Sequence, residues 1–323
     1  MQFNRILSIL AGSIIAPAII ASSVVAESYP SDTVHIVLPW RAGGGTDTIA
    51  RGFAAALESQ IDQAVVVDNL TGGVGDRAHN HIINSEPNGL QLLFNGSSDM
   101  NAVTMFRGTD YDYRNFDCVG GLYNTPTWIL AHKDRGLNSI ADLLAAAVSD
   151  PENTTIGISS LGSPHFVLAK ALLGNNGVNA RIIALDGGGP LKKAILANQV
   201  TAGVIHSPVL LDAVKSGDVI VLGAGGSLEN INYGPVRGTE TISNYNVDVE
   251  IGVIRGLYVP KGTPEDIRAA AEEMAKKAAE SEAFKEFGLG FGFAPVWIDG
   301  ASFCEIMETE NAAYKDIKAK YID

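Results

Sequence analysis

Residues 34–69 read VHIVLPWRAGGGTDTIARGFAAALESQIDQAVVVDN, and the order of elements in this stretch decides the fold. Val34–Leu38 is a short apolar run, and three glycines separate it from a helical segment that begins near Thr46. Ala64–Asp68 is a second apolar run. A strand, a glycine turn, a helix and another strand in this order are typical of a parallel sheet with helices on its faces.

The same order recurs on both sides of an extended segment at Phe116–His132. Before that segment, the pattern predicts a helix near Arg77–Ser85 and a strand at Leu90–Phe94. After it, strands and helices alternate at Thr155–Ile158, Pro164–Leu173, Arg181–Leu185, Leu191–Ala197, Ala202–Ile205, Pro208–Ser216 and Val219–Leu222. The sequence therefore predicts an α/β protein with two lobes, each a mainly parallel sheet flanked by helices.

The C-terminal part returns to a single strand followed by helices. Gly256–Val259 is the strand, and residues 263–266, Thr-Pro-Glu-Asp, carry a cap, a first-turn proline and two acids that mark a helix start. A chain that passes through lobe one, lobe two and back to lobe one suits a receptor that closes about a hinge, with its ligand cleft between the lobes. We predict lobe one at 27–124 plus 253–323 and lobe two at 125–252.

The N-terminus, residues 1–26, has the layout of a secretory signal peptide. Arg5 makes the start basic, residues 6–20 are almost wholly apolar, and Val24 and Ala26 place small residues before a cleavage site. An uncleaved anchor is the alternative, because this stretch is nearly long enough to cross a bilayer. The helix-breaking Pro17 and the small residues favour cleavage, so we expect an exported protein.

The charge balance limits the partners of this chain. It carries 23 Lys and Arg against 36 Asp and Glu, a net charge of −13. Such an acidic chain is poorly suited to bind nucleic acid or an anionic membrane surface. After the leader, no apolar run approaches the roughly 20 residues of a membrane span. We therefore expect no nucleic acid, no stable membrane insertion and a monomer, with any anion site built locally.

The two cysteines, Cys118 and Cys304, have two interpretations. An exported protein can keep a disulfide, but the sequence does not show whether the two Cα atoms lie within bridging distance. Between a disulfide and two separate buried thiols, we favour the separate thiols. The spacing of the cysteines does not indicate a metal site. His79 and His81 do not share a helix face, so they do not indicate one either.

Four loops follow predicted strands and precede helices, where an α/β sheet places its ligand. We name them loop one (residues 39–47), loop two (69–77), loop three (159–165) and loop four (186–190). Their glycines let the backbone approach a ligand, and a helix N-terminus offers unpaired N–H groups to an anion. A tight turn with a helix cap needs the same residue types, and Ser163 before Pro164 is itself a natural cap.

Enzymatic interpretations are less favoured. Gly73-x-Gly75-x-x-Ala78 in loop two loosely matches the dinucleotide fingerprint, but it falls on the second strand-to-helix turn and not the first. We therefore expect no cofactor. There is no Gly-x-Ser-x-Gly motif and no evident pairing of a histidine with an acid, so an exported α/β hydrolytic enzyme remains only an alternative.

An ordered set of motifs resembles the substrate-binding proteins of tripartite tricarboxylate transporters, the Bug-type receptors. The motifs are LPWRAGGGTD at 38–47, VVVDN at 65–69, PNGL at 87–90, GSPH at 162–165 and RGLYVPKGTP at 255–264. Their order and spacing agree over essentially the whole chain after the leader. The resemblance implies a periplasmic-binding-protein fold of type II and a periplasmic receptor without catalysis.

The resemblance also implies how such a receptor works. Its ligand is a small organic anion, mostly a carboxylate, held by backbone N–H groups and water in loops one and two while lobe two closes over it. The receptor then delivers the ligand to membrane permease subunits, or presents its closed form to a sensor kinase. The candidate ligand-binding residues are Trp40, Arg41, Ala42, Gly43, Gly44, Thr46, Gly73, Gly75, Asp76, Ser97, Ser160, Gly162, Ser163, Asp186, Gly187, Ser207 and Arg255.

This chain departs from the family pattern at the predicted pocket. Trp40-Arg41-Ala42 stands where an aromatic residue and two prolines are usual, and Asp186 stands where a lysine is usual. Arg41, Arg77 and Arg255 lie in or beside the loops, where each can pair with a ligand carboxylate or with an acid of the chain. These arginines favour a di- or tricarboxylate. Trp40 can stack on a flat ligand or cover the loop base.

Overall fold

The first α/β unit is a parallel sheet with helices on both faces. The computed structural model describes residues 29–206, 209–225, 239–247 and 252–322. The unit consists of β1 (Val34–Leu38), α1 (Gly45–Glu58), β2 (Val65–Asn69), α2 (Asp76–Ile83) and β3 (Gln91–Gly96). β1 lies between β2 and β3 and is parallel to both. Alternate β1 side chains point to opposite faces, so Ile36 packs with Phe53 of α1 while Val37 packs with Ile82 of α2.

The second α/β unit repeats this plan. Its elements are β5 (Thr155–Ile158), α5 (Pro164–Asn175), β6 (Arg181–Ala184), α6 (Gly188–Leu196), β7 (Ala202–His206), α7 (Leu211–Lys215) and β8 (Val219–Gly225). β5 lies between β6 and β7 and is parallel to both. The predicted alternation of strands and helices is confirmed in both units.

One long antiparallel strand joins the units. β4 (Phe116–His132) pairs along its first half with β9 (Gly252–Pro260) and β10 (Pro295–Asp299), and along its second half with β7 and β8. The strand order is β2-β1-β3-β9-β4-β7-β5-β6, so a single strand belongs to both halves. The two-lobed α/β fold is confirmed, and its sheet is mixed because the strands that cross between lobes run antiparallel to their neighbours.

The remaining helices are α3 (Ser97–Arg107), α4 (Ile140–Ser149), α8 (Glu265–Ala279), α9 (Glu282–Phe291) and α10 (Gly300–Tyr321). α10 packs on both units: Met307 joins the core beside α2 and β9, whereas Tyr314 and Ile317 join the core around β5 and α5. The proposed lobe boundaries assign all of α10 to lobe one, but its last turns contact lobe two. None of the described helices is long and apolar enough to cross a membrane.

The expectation of two separate thiols was wrong. Cys118 at the start of β4 and Cys304 in the first turns of α10 form a disulfide, with their Cα atoms 5.8 Å apart. The tertiary fold brings the start of α10 against the first half of β4, which a separation of 186 residues does not reveal. The predicted signal peptide at 1–26 lies outside the described residues.

Candidate functional site

Three strand ends of lobe one meet at one edge of the sheet. Because β2, β1 and β3 are parallel neighbours, loop two, loop one and the start of α3 lie side by side. In lobe two, the ends of β6, β5 and β7 place loop four, loop three and the turn after His206 along a second edge. Carboxyl ends of parallel strands are where α/β proteins bind ligands.

Loop one is held in shape by a buried carboxylate. Asp47 Oδ2 accepts a hydrogen bond from Gly43 N at 2.9 Å, and Asp47 Oδ1 accepts one from Asn69 Nδ2 at 2.9 Å. Arg51 Nε also donates to Asp47. Burial raises the pKa of Asp47, but the hydrogen bonds from Arg51, Gly43 and Asn69 outweigh it and lower the pKa. Asp47 therefore orders loop one and ties it to the end of β2.

The predicted ligand residues of loop one lie at the surface of this ordered turn. Arg41, Ala42, Gly43 and Gly44 are exposed, and Trp40 and Thr46 are half-buried. Gly43 adopts a left-handed backbone with φ of 78°, which glycine allows without strain. Among the described residues, the buried Trp40 Nε1 has no hydrogen-bond acceptor. This indole can therefore donate to a bound molecule.

Loop two turns through four consecutive residues of positive φ, from Gly72 to Gly75. Behind it, Asn95 Nδ2 lies 2.9 Å from His79 Nε2, and His79 Nδ1 lies 3.0 Å from the Tyr111 hydroxyl. An amide nitrogen only donates, so His79 Nδ1 carries the proton and donates to Tyr111. Tyr111 then donates to Asp76 Oδ1. Asp76, the first residue of α2, is thus oriented by a buried chain of hydrogen bonds.

The free energy of unfolding is expected to fall as the pH drops from 6.5 to 4. Burial lowers the pKa of His79 from its ordinary 6.5 to about 4, and it also lowers the pKa values of His165 and His206. In the unfolded chain the His79 imidazole binds a proton near its ordinary pKa of 6.5. The stability present above pH 6.5 is therefore lost as the pH falls toward the folded-state pKa. At about 1.36 kcal/mol per pKa unit, His79 alone accounts for about 3 kcal/mol.

Urea denaturation at a series of pH values measures this loss. His79→Gln keeps a polar side chain but removes the titrating imidazole. The slope of the free energy of unfolding against pH should then fall by about 1.36 kcal/mol per pH unit, which corresponds to one proton. A wild-type slope in the variant would contradict the assignment of the buried neutral imidazole.

Loops three and four of lobe two are joined by a backbone hydrogen bond. Gly187 N donates to Ser159 O at 2.7 Å. Ser163 caps α5 by accepting from Phe166 N and donates to Ser160 O, so its hydroxyl has a structural role. Asp186 is exposed and has a positive φ of 42°. The predicted ligand residue Ser207 lies outside the described residues.

The two lobes are in contact at two of these loops. A Cβ on Gly45, at the start of α1, would lie 3.7 Å from Val209 Cγ2 in the turn after β7. A Cβ on Gly162, in loop three, would lie 2.7 Å from the Phe106 side chain on α3. The structure therefore brings loop one to lobe two and loop three to lobe one, as a closed cleft requires.

A buried group of ionisable side chains lies where the lobes meet; we call it the inter-lobe cluster, and it consists of Asp99, Arg255, His206 and His165. Arg255 Nη1 on β9 donates to Asp99 Oδ2 in the first turn of α3. Asp99 Oδ1 lies 3.9 Å from His206 Nε2 at the end of β7. The His206 ring lies 4.2 Å, centroid to centroid, from the His165 ring on α5.

The ionisation of this cluster follows from its burial. Burial raises the pKa of Asp99, but the adjacent Arg255 charge more than offsets this and holds the pKa below its usual range. Burial lowers the pKa of His165, and the neighbouring His206 lowers it further. Burial also lowers the pKa of His206 in spite of Asp99. At neutral pH the cluster therefore holds one ion pair and two neutral imidazoles.

Two more predicted site residues are engaged within the protein. Arg255 is paired with Asp99, so its guanidinium is not open for a ligand carboxylate. Ser97 is fully buried, and its hydroxyl donates to Glu310 Oε1 on α10 at 2.9 Å. Asp99 and His206 were not predicted from the sequence, although Ser97-Ser98-Asp99 follows a strand and opens a helix as the other loops do. The position of Asp99, after a strand and at the start of a helix, was the feature of the sequence that pointed to it.

The fold and the facing loops are those of a two-lobed solute-binding protein. The chain belongs to the family described as tripartite tricarboxylate transporter family receptor, whose model matches residues 49–321. The resemblance drawn from the motifs is therefore confirmed.

Individual relatives agree with this assignment. The chain is 26% identical to protein BugT of Bordetella pertussis over 299 residues, which covers 92% of this chain and 91% of BugT. Among solved structures, it is similar to a TctC solute-binding protein from Polaromonas, with a TM-score of 0.74, 25% identity, and coverage of 90% of this chain and 99% of that one. It also shares its fold with MatC of Rhodopseudomonas palustris with bound malate, with a TM-score of 0.77, 22% identity, and coverage of 90% and 99%.

Proposed function

We propose that this protein binds a small organic carboxylate between its lobes in the periplasm and delivers it to a tripartite tricarboxylate-type permease. The observation that carries the proposal is a set of helix starts on the two facing edges. α1, α2 and α6 begin after Gly44, Gly75 and Gly187 without a side-chain cap. The uncapped starts leave N–H groups for an anion along the two facing edges.

The arrangement of charges leaves two of the three predicted arginines for a ligand anion. Arg41 and Arg77 are exposed beside loops one and two and can pair with a ligand anion. Arg255 already has Asp99 as its partner, which removes one of the three arginines that favoured a di- or tricarboxylate. The ligand-bound relative MatC, which holds malate, supports the carboxylate class.

We propose further that the protein acts by binding alone. Ser159 Oγ lies 2.7 Å from His165 Nδ1, a contact of the kind that activates a serine nucleophile. However, His165 Nε2 has no hydrogen-bond partner among the described residues, so no carboxylate orients the ring as a hydrolase would require. A receptor that only closes and opens fits this arrangement.

A thermal-shift screen of ligand-stripped protein tests the proposal, because a ligand that binds only the folded state raises the melting temperature. The panel should contain mono-, di- and tricarboxylates, aromatic acids, amino acids and neutral sugars. We expect carboxylates to raise the melting temperature and sugars to leave it unchanged. Stabilisation by sugars and by no carboxylate would contradict the ligand class.

Gly45→Leu is expected to weaken carboxylate binding by about tenfold or more, because the side chain would be wedged against Val209 of lobe two and hinder closure. Gly45 does not use a left-handed backbone, so the helix start accepts a leucine. Gly290→Leu in α9 is the control, since nothing lies within 4 Å of a Cβ there and the residue is away from the loops. Calorimetric titration measures both, and equal affinities in the two variants would contradict closure at Gly45.

A further inference from the structure

The inter-lobe cluster lies on the same edges as the proposed ligand site. Asp99 is in the first turn of α3, which follows β3, the strand next to the one that ends in loop one. His206 ends β7, and Val209 N donates to His206 O in the turn that faces Gly45. A ligand held at the start of α1 therefore has this cluster as its neighbour.

The hydrogen bonds already made leave a defined set of groups in the cluster. His165 Nδ1 contacts Ser159 Oγ at 2.7 Å, and His206 Nδ1 contacts Thr127 Oγ1 at 3.0 Å. The Nε2 atoms of both rings are buried without a hydrogen-bond partner among the described residues. His165 is 5% exposed, and Asp99 is 6% exposed. A buried polar atom without a partner destabilises the fold unless something bonds to it.

We propose that Asp99, His165 and His206 bind the second polar group of the ligand, and that this group is an uncharged hydroxyl and not a second carboxylate. The inference rests on the proposed function, which supplies the first carboxylate at the glycine loops. The ligand class narrows from organic carboxylates in general to hydroxy monocarboxylates.

The chemistry of the cluster distinguishes these two ligand types. A hydroxyl can donate to Asp99 Oδ1 and accept from an imidazole N–H, so it pairs with both kinds of atom. A carboxylate only accepts, and it would lie beside the ionised Asp99 in a buried site, where like charges repel strongly. The Arg255 charge, which would otherwise attract it, is neutralised by Asp99.

Calorimetric titration of the wild-type protein with matched ligand pairs tests the inference. Each pair keeps the chain length and exchanges a terminal hydroxymethyl for a carboxylate: 4-hydroxybutanoate against succinate, 5-hydroxypentanoate against glutarate, and 6-hydroxyhexanoate against adipate. We expect the best hydroxy acid to bind at least about tenfold more tightly than its diacid. A diacid that binds equally or more tightly would overturn the inference and leave the proposed function standing. If no carboxylate binds at all, both fail.

A double variant links the preference to the cluster. Asp99→Asn with Arg255→Gln removes both charges together, so neither is left buried alone. We expect the preference for the hydroxy acid to shrink to about threefold or less, since the repulsion of a second carboxylate is gone. Glu273→Gln on the exposed face of α8 is the control and should keep the wild-type preference. An unchanged preference in the double variant would overturn the role of Asp99.

Discussion

Replacing Asp99 by alanine is expected to lower the free energy of unfolding by about 3–5 kcal/mol. The reason is the charge that remains: Arg255 is 6% exposed, and without Asp99 its guanidinium is buried without a counter-ion. Removing one partner of a buried pair costs more than removing both, because an uncompensated charge cannot be solvated. Urea denaturation at pH 7 measures the loss.

Two controls separate this effect from a general loss of packing. Asp99→Ala combined with Arg255→Met replaces the whole pair by apolar side chains and should recover most of the stability. Glu273→Gln breaks the exposed pair with Lys277 and should leave the denaturation midpoint unchanged within error. A loss in Asp99→Ala of less than about 1 kcal/mol, the range of a surface pair, would contradict the burial of the charge.

Removing the disulfide is expected to lower the free energy of unfolding by about 2–5 kcal/mol. Cys118 and Cys304 are 186 residues apart in sequence, so the bond closes a long loop and strongly restricts the unfolded chain. It also holds the start of α10 on β4, and α10 continues onto the core of lobe two. Cys118→Ala with Cys304→Ala, compared with wild type by urea denaturation, measures the effect.

A reducing agent provides the control. Reductant should lower the melting temperature of the wild type toward that of the double alanine variant, and it should leave the variant unchanged. A wild-type melting temperature that is insensitive to reductant, together with two titratable thiols in the unfolded unreduced protein, would show that the cysteines are not joined.

The local pattern of the sequence was sufficient for most elements. Val34–Leu38 and Phe116–His132 were predicted with the boundaries that the structure shows, because apolar runs and their flanking turns are local features. The whole of α3 was missed, since Ser97 to Thr104 is buried on all sides and lacks the one-sided pattern of a surface helix. The direction of β9 was also hidden, because strand direction depends on its partners.

The candidate site was predictable in position but not in its charges. Strand ends and glycines predicted that loops one to four lie along the two sheet edges, since both features can be recognised locally in the sequence. Whether Arg255 meets a ligand or an acid of the chain depends on a residue that lies 156 positions away, Asp99. The sequence contains 36 acids, and nothing local selects one of them.

By itself, the sequence determined that this protein is a two-lobed α/β chain with glycine turns before its helices, because hydrophobic periodicity and backbone freedom act over a few residues. Only the tertiary structure decided which distant groups meet: Cys118 with Cys304, Asp99 with Arg255, and His206 with His165. Those pairings depend on how strands from both lobes align in one mixed sheet. The physical reason is that each pairing joins residues that lie far apart in sequence, so only the folded chain brings them together.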